Sequence, residues 1–213
     1  NISQSLRDRG YEPYLIVNFK NYLYFLGKKI NVKLLPLPPL ILSRLEKNPR
    51  TVLFFIRRIF SFYQLIFNFE HWYANTGYPS GIITSNFCSK YQYKCTLRCG
   101  GEDIQVLRRI NYGFRINKNI DLLIRKYYPK FTRVIAINNK MIQDYMDVGV
   151  LRSKISLLPN PVYINFPNDE DVAINKASVF TFLAVGRNHI KKDFSTLIYA
   201  LPILQGISNL DFK

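Results

Sequence analysis

Residues Thr132–Val162 read TRVIAINNKMIQDYMDVGVLRSKISLLPNPV. Arg133–Ile137 is a short β-branched run and predicts a strand. Asn138 is a residue type that caps helices, and Met141, Ile142 and Tyr145 follow on one helical face. Gly149 supplies the stop. Lys154–Leu158 is the next strand, closed by Pro159-Asn160-Pro161-Val162. Strand, helix and strand in this order support a parallel pair, because a crossover helix can return the chain to the same end of the sheet.

Further along, Phe180–Ala200 reads FTFLAVGRNHIKKDFSTLIYA. Val179–Val185 predicts a buried strand, Gly186–Arg187 a turn, and Lys191–Lys192 the end of a basic loop. Asp193 opens a helix whose Leu197, Ile198, Leu201 and Leu204 share helical spacing. Backbone N–H groups and cations would then meet at the carboxyl end of a strand. That is where open α/β sheets bind ligands, anions in particular.

Upstream, strands and helices keep alternating. Leu6 and Gly10 mark the end of a helix, and Tyr14–Phe19 reads as a strand. Ile30–Leu35 is another strand, after which Pro36, Pro38 and Pro39 force an extended path. Arg50–Phe67 carries Leu53, Ile56, Phe60 and Tyr63 near helical spacing. Two readings stand for it: a core-packed helix, which is preferred, and an amphipathic helix facing a membrane. Leu65–Phe69 reads as a strand, Ile82–Lys90 as a helix and Tyr93–Leu97 as a strand before the turn Gly100-Gly101-Glu102-Asp103. Asn111–Tyr128 reads as a helix stopped by Pro129. The whole pattern is that of an α/β protein with parallel sheets.

The chain has 213 residues and is 48% hydrophobic, enough for a substantial core. Lys and Arg number 30 against 14 Asp and Glu, a net charge of +16 that favours anionic partners. Richness in Asn, Ile, Lys, Tyr and Phe is also what base-composition bias in a genome produces. No apolar run is long enough for a spanning helix, since Arg57–Arg58 interrupt the longest. Cys88, Cys95 and Cys99 are odd in number and lack zinc spacing with His71, so they read as buried thiols of a reducing compartment.

These stretches together resemble family-four glycosyltransferases of the GT-B fold. Thr132–Val162 is similar to that family's strand-helix-strand segment before its "ipNgv" turn, with Asn138 for the common Ser and Pro161 for the common Gly. Gly186-Arg187 and Lys192 resemble its GR-x4-K stretch, with Asp193 where Gly is usual. GGEDIQ, 100–105, resembles its "hGeDiq" turn, with Gly100 where a His is common. The resemblance implies two Rossmann-like domains: an acceptor-side domain over 1–162, a linker over 163–176, and a donor-binding domain from 177–213. It further implies that the first strand and most of the second domain lie outside this chain.

Implied too is transfer of a sugar from a UDP- or GDP-linked donor to a hydroxyl acceptor, a polysaccharide or lipid-linked glycan. The transfer would proceed with retention and without a metal or other cofactor. Arg187 and Lys192 would hold the donor diphosphate, and Gly186, Gly100, Gly101, Asp103 and Asn160 would line the cleft. The family's paired glutamates have no counterpart after Lys192, so the chain alone is expected to be inactive. A cytoplasmic location is expected, with peripheral contact at the inner face of the membrane left open. The alternative is a basic protein binding nucleic acid or an anionic membrane without catalysis. Its cations are scattered, and no nucleic-acid signature appears. A dinucleotide-binding Rossmann enzyme is disfavoured, since no G-x-G-x-x-G follows any predicted strand.

Overall fold

The computed structural model describes residues 2–38, 42, 44–161 and 183–207. Its strands form two parallel sheets. In the smaller, β1 (Tyr14–Asn18) pairs with β2 (Lys33–Leu37), Tyr14 lying opposite Lys33. In the larger, β3 (Trp72–Ala74), β4 (Cys95–Arg98), β5 (Arg133–Ala136) and β6 (Ile155–Leu157) lie side by side in chain order. Trp72 faces Cys95, Thr96 faces Arg133 and Val134 faces Ile155. Parallel neighbours need crossovers. Helices α1 (Ile2–Arg7), α2 (Phe19–Phe25), α3 (Pro49–Phe67), α4 (Ile82–Tyr91), α5 (Lys118–Tyr127) and α6 (Asn139–Asp147) alternate with the strands, and α7 (Phe194–Ile207) lies after them. The α/β class with parallel sheets is therefore the fold.

Capping side chains set several of these boundaries. The Asn138 carboxamide accepts from Met141 N at 2.9 Å and starts α6. Asn18 does the same for α2, accepting from Asn21 N at 2.8 Å, so the first strand stops at Asn18 and a helix follows. The helix expected over Asn111–Tyr128 begins only at Lys118. Gly113 at φ +110° breaks the path, and Asn117 accepts from Asn119 N and Ile120 N. Ahead of it lie short 3-10 turns at Arg108–Ile110 and Phe114–Ile116.

Three strand expectations are corrected. Leu65–Phe69 is not a strand: α3 continues to Phe67 and ends at Asn68, whose φ is +46°. A short apolar run is ambiguous between helix and strand, and here Gln64 decides. Its amide donates to the Phe69 carbonyl at 3.1 Å and accepts from Trp72 Nε1 at 2.9 Å, which folds the chain back into β3. The second strand is Lys33–Leu37 and includes Pro36, tolerated because a two-stranded sheet consists of edges. Residues 183–185 carry no strand, and Leu183 and Val185 are exposed. The remainder of the expected Val179–Val185 strand, and the 163–176 linker, lie outside the described residues.

The core is one cluster running from Leu37 to Ile155. At its centre the Trp72 ring stacks on Phe60 of α3 at 4.9 Å and meets Phe87 of α4 edge-on at 4.9 Å. Such pairs add about 0.5–1.5 kcal/mol each beyond area burial. Cys88, Cys95 and Cys99 are free and buried within it. Burial pushes the Cys99 thiol and the Tyr128 and Tyr145 hydroxyls well above their usual ranges, so all three stay neutral.

Packing leaves no room for a side chain at Gly77, after β3. A methyl group there would overlap the Tyr128 hydroxyl and lie 2.8 Å from Cys99 Sγ. Gly77→Ala is expected to destabilise the protein by about 1–3 kcal/mol in urea unfolding, because neither neighbour has room to move. A second prediction concerns acid. Burial raises the Asp121 pKa, but hydrogen bonds from Arg115 Nε and Arg125 Nε, each at 2.7 Å, outweigh it and hold the carboxyl below its usual range. A depressed folded-state pKa stabilises above the unfolded value, and this stability is lost as pH falls through the folded one. Asp121→Asn should therefore lower stability at neutral pH and flatten the acid limb of stability against pH.

Candidate functional site

All four strands of the larger sheet point their carboxyl ends the same way, and the loops that follow them meet at one edge. Arg98 closes β4 there. Its guanidinium donates to Asn75 Oδ1, just after β3, at 3.2 Å, and to Asn160 Oδ1, after β6. Asn160, which the resemblance implies in the cleft, thus lies at this edge, held by a cation that the sequence did not single out. A basic residue ending a buried strand was the available signal.

The Gly100–Gly101 turn comes next. Gly101 adopts φ +125°, which disfavours any residue with a side chain. Its amide donates to Asp103 Oδ1 at 3.1 Å, and its carbonyl accepts from Ile104 N and Gln105 N. The other Asp103 oxygen accepts from Gly77 N, and the Tyr128 hydroxyl donates to the Asp103 carbonyl at 3.1 Å. Asp103 is 5% exposed, so its carboxylate shapes the turn from beneath rather than facing the cleft. Gly100 is exposed, with open space where a side chain would stand. His71 lies away from this turn. Its Nε2 is 2.9 Å from Thr96 Oγ1, and burial lowers its pKa, with Lys94 adding to the effect.

The Gly186–Arg187 turn docks beside these loops through Lys191. The Lys191 ammonium donates to Gln105 Oε1 at 2.8 Å and sits 4.2 Å from the centre of the Tyr112 ring. Tyr112 also meets the His189 ring edge-on at 5.8 Å. The same Gln105 Oε1 and the Tyr112 hydroxyl lie 3.4 and 3.6 Å from where a Gly101 side chain would begin. Lys191 therefore ties the basic turn to the glycine turn. Gly186 is bare for a similar reason: a side chain there would meet the Phe194 ring at 3.2 Å and the Lys192 stem at 3.5 Å. Arg187 and Lys192 are both exposed.

Asp193 follows at φ +50°, the left-handed conformation that glycine favours and aspartate tolerates. The turn thus keeps a glycine-like course with a carboxylate in place. That carboxylate accepts from Thr196 Oγ1 at 2.8 Å and from Ser195 Oγ at 3.2 Å at the start of α7. The Thr196 bond is the first cause holding its pKa below the usual range. Leu197 and Leu204 of α7 are exposed. Among the described residues no group of acidic, His or Cys side chains could hold a metal ion.

The fold and this edge define an α/β protein with parallel sheets and a cationic turn set against a glycine turn. No protein-family model matches the chain, and no curated protein matches it. Among solved structures it is similar to Anabaena Alr3699/HepE, solved in complex with UDP and glucose. The identity is 13% and the TM-score 0.42, over 92% of this chain and 60% of that one. The chain thus spans 60% of that structure's length. A likeness of this degree carries no argument about function, which rests on the chain's own residues.

Lys191→Ala removes one hydrogen bond and one cation–π contact. Together these are worth about 1–2 kcal/mol, so amide exchange in Phe194–Ile207 should quicken roughly tenfold. Exchange in the larger sheet should not change.

Proposed function

We propose that the protein is a glycosyltransferase of GT-B type, similar to family four, that moves a sugar from a nucleotide-sugar to a hydroxyl acceptor. In this reading residues 1–162 form the acceptor side, 163–176 the linker and 177–213 belong to the donor side. The observation that carries it is the placement of Arg187 and Lys192. They are exposed on one turn, with the Lys192 stem close to Gly186, and Lys191 anchors that turn beside Gly100–Gly101.

The chemistry needs such a turn. As the bond from the anomeric carbon to the diphosphate breaks, negative charge gathers on the departing nucleotide. Meanwhile the acceptor oxygen bonds to that carbon and gives up its proton to the departing phosphate oxygen. Cations already in position stabilise the developing charge without reorganising. Arg187 offers a planar fork suited to two phosphate oxygens, and Lys192 a point charge. Hydrogen bonds of this charged kind contribute about 1.5–3 kcal/mol each. Asp193 already occupies the start of α7, so the side-chain cations rather than the helix end carry the stabilisation. Transfer with retention, metal independence, a UDP- or GDP-linked donor and a glycan or lipid-linked acceptor complete the proposal.

Calorimetric titration with uridine and guanosine diphosphates, in chelator, tests it. Micromolar binding of one nucleotide is expected. Arg187→Ala and Lys192→Ala should each weaken it about tenfold or more, the equivalent of one charged hydrogen bond. Binding indifferent to both substitutions would make this a solvated turn.

A further inference from the structure

Helix α3 has two apolar faces, and the fold uses only one. Val52, Leu53, Ile56 and Phe60 point inward and are buried. The opposite face of a surface helix is ordinarily polar. Here it carries Phe54, Phe55, Phe62, Leu65 and Ile66, which are 45%, 53%, 58%, 84% and 53% exposed. Their intervals of one, seven, three and one residues keep them within about a third of the helix circumference, on one outward stripe. Single exposed apolar residues need no explanation, but a contiguous stripe of five large ones marks an interaction surface.

Charge identifies the partner. Arg58 lies within the same outward face, and Arg50 and Arg57 flank its margin. The Arg58 guanidinium stands 5.2 Å from the centre of the Phe54 ring. Between Glu46 and Glu70 the sequence contains no acidic residue at all. A protein partner with a purely apolar groove would leave these guanidinium groups unpaired, whereas a phospholipid surface offers acyl chains for the rings and phosphates for the arginines. Nineteen residues give a rod of about 28 Å that can lie flat in the headgroup layer. Among the described residues no helix is long and apolar enough to cross a membrane.

We infer that the outward face of α3 docks the protein on an anionic lipid surface, lying in the interface with its aromatic side chains among the acyl chains. The two sequence readings of this helix are then both true, one for each face. The inference does not depend on sugar transfer, because it concerns a helix remote in sequence from the cationic turn.

Co-sedimentation of the whole chain with vesicles, without nucleotide, tests it. Vesicles of phosphatidylcholine with one-third phosphatidylglycerol should bind the protein, and pure phosphatidylcholine much less. Phe62→Ser with Leu65→Ser should lower the partition coefficient at least tenfold. Arg50→Gln and Arg58→Gln should each lower it roughly fivefold and weaken its salt dependence. These side chains are exposed, so circular dichroism and the unfolding midpoint should not move. Three outcomes overturn the inference: no binding to anionic vesicles, binding unaffected by the stripe substitutions, or self-association that those substitutions abolish while vesicle binding is absent. The last would assign the face to a second copy. Nucleotide binding measured on the same variants stays intact if only the docking inference fails.

Discussion

The arrangement of the loops at the carboxyl edge of the larger sheet depends on one buried carboxylate. Asp103 accepts the Gly77 amide from the turn after β3 and the Gly101 amide from the turn after β4. Tyr128, at the end of α5, donates to the backbone carbonyl of the same residue. Three segments distant in sequence are thus registered by a single residue. A buried carboxylate is tolerable only because backbone donors satisfy it, and those donors would be orphaned without it. The absence of room beside Gly77 follows, since the Tyr128 ring has to reach across that turn.

Two further cations extend this frame. Arg98 spans the sheet edge from Asn75 to Asn160, and Lys191 reaches from the basic turn to Gln105 and Tyr112. Both are occupied by the protein itself. Arg187 and Lys192, in the same stretch as Lys191, stand exposed. This division gives the excess of positive charge a physical meaning: some cations build the edge, others on it face outward. The α3 stripe shows the same economy on a different surface, one face closing the core and the other turned to solvent with arginines among its rings.

Sequence reading and structure part company where a local signal was ambiguous. The run through Leu65–Phe69 suits a strand and a helix equally, and only the two hydrogen bonds of Gln64 show why the helix wins. Asn18 and Asn117 are cap residues whose role emerged with the backbone they cap. Asp103 is expected in the cleft only through the resemblance of GGEDIQ, 100–105, to the family's turn. Nothing local reveals that its side chain points into the core.

From sequence alone came the α/β class, the parallel sheets, and most strand and helix positions after Ile82. These follow from periodicity, caps and glycine placement, which act over a few residues. Only the tertiary structure decided that Arg98 bridges two loops, that Asp103 lies beneath its turn, that Lys191 fastens one turn to the other, and that α3 is apolar on both sides. Each of these joins groups far apart in the chain or concerns which face is covered. Such facts are set by packing over the whole molecule, and no local pattern encodes them.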